Sequence, residues 1–471
     1  MSLFSMVLIF IIFLCLVFNK TYKNKFISIL AFYVFVYMNI EVGYFYKSST
    51  GSTYRYSYFV GLLVCMMSII IIIKKLHNIS GNIYMFVISI TAMTIGIIGL
   101  VNRPFGKKIV TGDMLIDEYW VAGKSLKYVS FNSMVQKSII QYLIFLFILF
   151  SIIIYFEKED YMLLLRKVSN WCKISIIWGC IEFIFKNILS INIFTSFINS
   201  FFGYNENVFL YTEKMGRFIR LSGMTTEASH YAYTLFLIAI IEYANIKYNK
   251  KERIWLWLSL ILLLISMSFS SILYIVAFIL IYKFIENKNT VNYGKKFIYV
   301  IISFVAVVVL AAVIINLNSF QNSYYGKRLM EILNDSSLFI KLEALRSVRY
   351  TSSRVRLISI ITTVQLLLYR PLFGLGLGAA SSHGSFAMIL SNLGIVGTLS
   401  WIMVLFFSKP YKLFKVNNLT YICLICIWCV VGLFTSHFLG MLYNAENYII
   451  MISFLVLCEQ NTSVEMKENE K

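Results

Sequence analysis

Proline is nearly absent from this sequence, with three residues in 471. No Pro-rich or Ser/Thr/Pro-rich stretch separates modules, so the chain reads as one domain rather than a string of them. Charge is scarce as well: 14% of residues are Asp, Glu, Lys or Arg, against about 25% in ordinary globular proteins. Histidine occurs four times, at His77, His230, His383 and His437. None of these falls at a metal-ligand spacing such as HxxxH or HExxH, so neither a bound metal nor another cofactor is expected. The cysteines mostly sit inside apolar segments (Cys15, Cys65, Cys423, Cys426, Cys429) and do not form a disulfide framework.

What is present is apolar. Hydrophobic residues make up 59% of the chain, and its mean hydropathy is +0.77. A soluble fold is excluded on that balance; the expectation is an all-α polytopic integral membrane protein. The formal charge of +20 does not point to nucleic acid, because the lysines fall in short tracts between apolar segments: "NKTYKNK", "KYNKKER", "NYGKKF" and "KPYKLFK". Membrane topology leaves that pattern, with Lys and Arg retained in short cytoplasmic loops. Membrane lipid is the expected anionic neighbour. The N-terminus, "MSLFSMVLIFIIFLCLVF", lacks the basic flank and small-residue cleavage site of a signal peptide and reads as a first span.

A spanning helix needs roughly 20 apolar residues. Runs that qualify lie near 3–18, 26–45, 57–74, 83–101, 138–156, 170–189, 229–246, 253–268, 270–286, 297–316, 386–407, 420–436 and 441–458, about 12–13 helices within a single transmembrane domain over 1–458. A short cytoplasmic tail, 459–471, follows. Three connections are long: about 102–137, 190–228 and 317–385. All three emerge on the face opposite the short basic loops, so they are expected to be extracytoplasmic.

Three stretches carry residues suited to chemistry. In "RFIRLSGMTTEASHYA", Arg217 and Arg220 lie three apart and Gly223 permits a sharp turn. Thr225 or Thr226 can cap the helix that Glu227 opens, and His230 lies one turn in. The plain alternative is a first-turn glutamate beside arginines that snorkel to headgroups. In "LEALRSVRYTSSRVRLISI", Arg346, Arg349 and Arg356 would share one helical face, with Arg354 beside them if the helix continues through Thr351–Ser353. Guanidinium groups have the fork geometry and permanent charge that suit pyrophosphate, and equally a basic face suits anionic lipid. In "PLFGLGLGAASSHGSFAMILSNLGIVGT", Gly374, Gly376 and Gly378 could admit a phosphate to backbone amides. A GxGxG without a P-loop Lys is weak, and Gly394 and Gly397 have a helix-packing spacing. Pro371 should end the short apolar helix before it. His383 stands just ahead of the following span.

Taken together, these stretches resemble the O-antigen and capsular polysaccharide polymerases, the Wzy family, and the related O-antigen ligases. "RLSGMTTEASHYA" resembles the family's RxSGxxxEPSxxA element, with Ala228 where the family has proline. "SSRVRLISI...YRPLFGLGLG" is similar to its arginine-to-PLFGxGxG run, in which Arg354 or Arg356 takes the family position and Arg356 has the better spacing to Pro371. "HGSFAMILSNLGIVGT" resembles the shared H-x10-GxxGT pattern, with Gly384 after the histidine.

That resemblance implies a GT-C-like architecture and a metal-independent glycosyltransferase at the outer face of the cytoplasmic membrane. Its substrates would be undecaprenyl-pyrophosphate-linked oligosaccharides. Arg220 and Arg356 would stabilise the departing pyrophosphate, while Glu227 or His383 would take the acceptor proton. Arg217, His230, Arg346, Arg349, Arg354, Gly376 and Gly378 would bind substrate. A chain-length regulator and a flippase are the partners it implies. The rival expectations are a ligase acting on lipid A–core and a lipid-linked oligosaccharide flippase. The latter would have short loops throughout and ionisable residues near mid-membrane.

Overall fold

The computed structural model describes residues 3–40, 44–47, 53–75, 133–191, 197, 200–203, 214–215, 218–225, 227–249, 253–266, 268–286, 366–368, 370–379, 385–407, 413–414, 416–434 and 445–459. Within them the chain is mostly helical, with two short antiparallel ribbons. In chain order the elements are α1 Leu3–Val17, α2 Tyr22–Asn39, β1 Tyr44–Lys47, β2 Thr53–Arg55, α3 Tyr56–Lys75, α4 Ser133–Tyr155 and α5 Lys158–Phe183. A π-turn over Ile184–Ile188 extends α5. Then follow β3 Lys214–Met215, β4 Phe218–Ile219, α6 Ala228–Asn249, α7 Ile254–Ile265, α8 Phe269–Glu286, α9 Ser385–Phe407, α10 Asn418–Phe434 and α11 Ala445–Cys458. Among the described helices, α3 and α5 with its π-turn are long and apolar enough to cross a membrane. The expected spans 83–101 and 297–316 lie outside the described residues.

The middle helices are apolar on every side. Phe26–Val36 of α2 and Leu235–Ile241 of α6 are buried throughout, as is most of α11, the signature of helices surrounded by other helices. Around this centre α3 packs on α2 and α4, α5 on α2 and α6, and α8 on α6, α7 and α10. The outward faces are apolar too. Phe10, Phe13, Met66, Ile73, Trp257 and Leu264 are each more than half exposed, although large contiguous apolar surface is unusual on a soluble monomer. Buried serines spend their hydroxyls inside the helices. Ser68 Oγ donates to Val64 O at 2.9 Å, and Ser151 Oγ reaches Ser68 Oγ across α4 and α3 at 3.0 Å. Bonds of that kind let helices approach closely where no water is available.

Contacts between helix ends give the bundle two distinct poles. At the first, the Asp160 carboxylate accepts the Glu157 N–H at 2.9 Å, closing the start of α5, and also meets Lys23. Lys158 pairs with Glu459, and Lys247 donates to the Leu457 carbonyl. The starts of α2, α5 and α10 and the ends of α4, α6 and α11 therefore gather there, with Lys23 over the Tyr155 ring and Lys158 over the Phe414 ring. At the second pole, Phe4 packs on Tyr56, Phe201 and Phe202. Tyr56 Oη donates to Phe202 O at 3.2 Å, and Thr234 Oγ1 to Met38 O at 2.9 Å. The lysine-rich tract 19–25 and the turn 220–225 thus lie at opposite poles.

Three local features differ from the hydropathy reading. Helix α2 ends at Asn39 and the chain turns into the β1–β2 ribbon, pairing Tyr46 with Tyr54. Helix α5 begins at Lys158, since its charged, capped first turn is too polar to score as a span. Helix α9 is broken at Gly394, whose φ is +66°. The break receives the segment Pro371–Gly376: Leu375 N donates to Ser391 O and Gly376 N to Asn392 O, both at 2.9 Å, and Ile395 N to Pro371 O at 2.7 Å. The backbones touch so closely that a Cβ on Gly374 would stand 2.5 Å from the Asn392 carbonyl. On α10, Cys423 and Cys426 are free thiols three residues apart on a helix.

Candidate functional site

The second pole holds the Arg220–His230 turn, and it is built from α5. Glu182, fully buried near the end of that helix, receives four donors on one carboxylate. Lys186 Nζ lies at 2.6 Å, Ser222 N at 3.1 Å and Ser222 Oγ at 3.2 Å from Oε1; Gly223 N lies at 2.6 Å from Oε2. Two successive backbone N–H groups converging on one anion form a nest, here filled by the protein's own side chain. Gly223 has φ +60°, a region L-residues enter at a cost. A Cβ there would run into the Tyr231 ring. Trp178 Nε1 donates to the Gly223 carbonyl at 3.2 Å and Tyr231 Oη to the Ser175 carbonyl at 3.0 Å, tying the turn and α6 back to α5.

The π-turn adds a second grip. Its wider coil, marked by Leu189 N donating to Ile184 O at 2.9 Å, is a geometry that recurs where a helix serves a site. Asn187 projects from it like a third strand beside β4. Its Oδ1 accepts the Ile219 N–H at 2.6 Å, and its Nδ2 donates to the Ile219 carbonyl at 3.1 Å. Arg220 is the next residue, half-buried, between the Ile219 and the Ser222–Gly223 attachments.

Beyond the turn, the Thr225 hydroxyl bridges the carbonyls of Ser222 (2.7 Å) and Glu227 (2.9 Å). It serves the turn rather than capping a helix N–H. Glu227 immediately precedes α6, and its carbonyl accepts the Tyr231 N–H at 3.0 Å. Its side chain is 42% exposed, accepts from Ser229 Oγ at 3.0 Å and stands 4.0 Å from His230 Nε2. This anion sits at the positive end of the α6 dipole, where a carboxylate is favoured. The arrangement therefore supplies a guanidinium on a backbone held at both sides, a solvent-reaching carboxylate and an imidazole from one turn and one helix start.

Of the residues expected to act, Arg220, Glu227 and His230 are brought onto this turn. Gly376 and Gly378 are both buried, and Gly376 is seated against the break in α9. The Gly376 N–H donates to the Asn392 carbonyl, and its φ of +106° favours a glycine there. Arg217, Arg346, Arg349, Arg354, Arg356 and His383 lie outside the described residues. Among the described residues, no three His, Cys, Asp or Glu side chains converge as metal ligands would. Glu182, Lys186 and Asn187 were not among the expected site residues. The signal was an ionisable pair in the apolar run "GCIEFIFKNILS", where charge is costly and marks function more often than chance. Comparisons with protein-family models, curated proteins and solved structures each return no match.

Proposed function

We propose that the chain is a multi-pass membrane glycosyltransferase of the inner membrane. It would join undecaprenyl-pyrophosphate-linked oligosaccharide repeat units at the outer face. The observation that carries this reading is the position of the Arg220–Glu227–His230 turn, fixed at the pole opposite the lysine-rich connections. An apolar exterior suited to lipid and the positive-inside rule support a reading in which that pole faces away from the cytoplasm.

In this reading an acceptor hydroxyl oxygen attacks the anomeric carbon of the donor glycan. The bond from that carbon to the pyrophosphate oxygen breaks, and undecaprenyl pyrophosphate leaves with the electron pair. Arg220, joined by Arg356, stabilises the charge growing on the departing pyrophosphate. Glu227, 42% exposed, takes the proton that the acceptor hydroxyl loses. His230, with Nε2 4.0 Å from the Glu227 carboxylate, contributes to substrate binding. His383 is the alternative base.

The test is deletion of the gene in its native host, followed by complementation with wild type, Arg220→Ala or Glu227→Ala and display of surface glycans on a gel. The expected result is a ladder in wild type and a single-repeat band in the deletion strain and both variants. Long chains that persist on the lipid carrier after deletion would make the chain a ligase. Repeat units trapped in the cytoplasmic leaflet would make it a flippase.

A further inference from the structure

Resting on that functional reading, we propose that Glu182, with Lys186 and Asn187, forms a two-point clamp. It positions Arg220 for catalysis without touching substrate itself. A carboxylate and an ammonium both removed from water rarely stabilise a fold relative to apolar side chains of similar size. Stability therefore gives no reason to keep the Glu182–Lys186 pair, whose side chains are 0% and 4% exposed.

Geometry gives one. An anion accepts from several donors at once, and here one carboxylate gathers the Ser222 N–H, the Ser222 hydroxyl and the Gly223 N–H, with Lys186 supplying the compensating charge. An apolar pair would leave those turn donors without acceptors. A neutral Gln would offer a single acceptor oxygen to donors that now meet two.

Four and five residues from Glu182, the π-turn presents Lys186 and Asn187. Asn187 grips both backbone groups of Ile219. The chain is thus fixed at Ile219 on one side of Arg220 and at Ser222–Gly223 on the other. The guanidinium base has little backbone freedom left, and the ordering entropy is settled before substrate arrives. Arg220 is the residue so bracketed, and the clamp has no opening of its own because Glu182 is fully buried.

The test uses the full-length protein in detergent, as wild type, Glu182→Met/Lys186→Met, Asn187→Leu and Lys186→Arg. The double variant removes both charges, so no stranded ion confounds folding. Substrate is the lipid-linked repeat unit extracted from the strain lacking the gene. We expect faster amide hydrogen exchange at Ser222 and Gly223 in the double variant and at Ile219 in Asn187→Leu. Each should lose about 10²-fold in kcat, the scale of a small misplacement, with KM held; the thermal midpoint should fall modestly, because turn donors lose their acceptors. Lys186→Arg, which keeps a cation beside the carboxylate, should show slower exchange and higher kcat than the double variant.

Unchanged exchange would overturn the clamp. Raised exchange with full kcat would overturn its positioning role, as would a loss carried by the thermal midpoint rather than by kcat. Inert wild-type protein would overturn the functional reading itself, whereas active wild type with indifferent variants would overturn only the clamp.

Discussion

The two poles of the bundle use the same side chains for opposite purposes. At the first, Lys23–Asp160 and Lys158–Glu459 join helix ends while keeping contact with solvent; the side chains are 28% and 12% exposed in one pair, 33% and 17% in the other. At the second, Lys186–Glu182 is withdrawn from solvent and its carboxylate is spent on a turn. An exposed pair is screened and interchangeable. A buried one is specific, because every lone pair must find its donor. The difference teaches that the ion pair where the charges are costliest is the one beside the candidate chemistry.

Breaking the buried pair unevenly should give the largest effect. Glu182→Ala leaves the Lys186 ammonium in a site with no water to solvate it, a loss of about 3–5 kcal/mol. The reading is a fall in the thermal midpoint of detergent-solubilised protein, most of which Glu182→Met/Lys186→Met should restore. Next comes the residue the clamp holds. Arg220→Ala should lower turnover by about 10²–10³-fold, the worth of one preorganised group facing developing charge, while the thermal midpoint stays in place. Arg220→Lys should not restore turnover, because an ammonium lacks the planar fork. Steady-state kinetics on extracted lipid-linked substrate would decide both.

Smaller again is Gly223→Ala. The left-handed backbone costs an alanine about 1–2 kcal/mol, and the new Cβ must push the Tyr231 ring aside. The turn should loosen without unfolding the bundle. Hydrogen exchange at Ser222 and Gly223 would report it, and unchanged exchange would show that the turn tolerates a side chain.

These features differ in how far they can be read from sequence. The helices are legible because an apolar run of the right length has few other uses: α1, α3, α6, α7 and α8 end within about three residues of the hydropathy boundaries. The break in α9 is not legible. By hydropathy "MILSNLGIVGT" falls inside one span, and the break at Gly394 receives Pro371–Gly376 backbone to backbone, a contact between segments about 20 residues apart. The β1–β2 ribbon was half-legible, since alternating Tyr44 and Tyr46 before "SSTGS" is hairpin chemistry that hydropathy ignores. At the site, Arg220, Glu227 and His230 are visible because three polar groups crowd a membrane border. Glu182 and Lys186 hide within an apolar helix, and their purpose depends on a turn about 40 residues downstream that only folding brings to them.

The smallest effect is the sharpest control on this contrast. Lys158→Ala and Glu459→Ala remove a pair that water still reaches, and exposed pairs contribute about 0.2–1 kcal/mol. A double-mutant cycle on the thermal midpoint should return a coupling in that range. The coupling should also fade with salt, since the Debye length shrinks from about 10 Å at 0.1 M to about 3 Å at 1 M. The coupling between Glu182 and Lys186 should hold through the same titration, because ions cannot enter where water does not. A Lys158–Glu459 coupling that matched the buried pair in size and resisted salt would mean that Glu459 anchors α11 to α5 as firmly as Glu182 anchors its turn. Burial would then not be what separates the two poles.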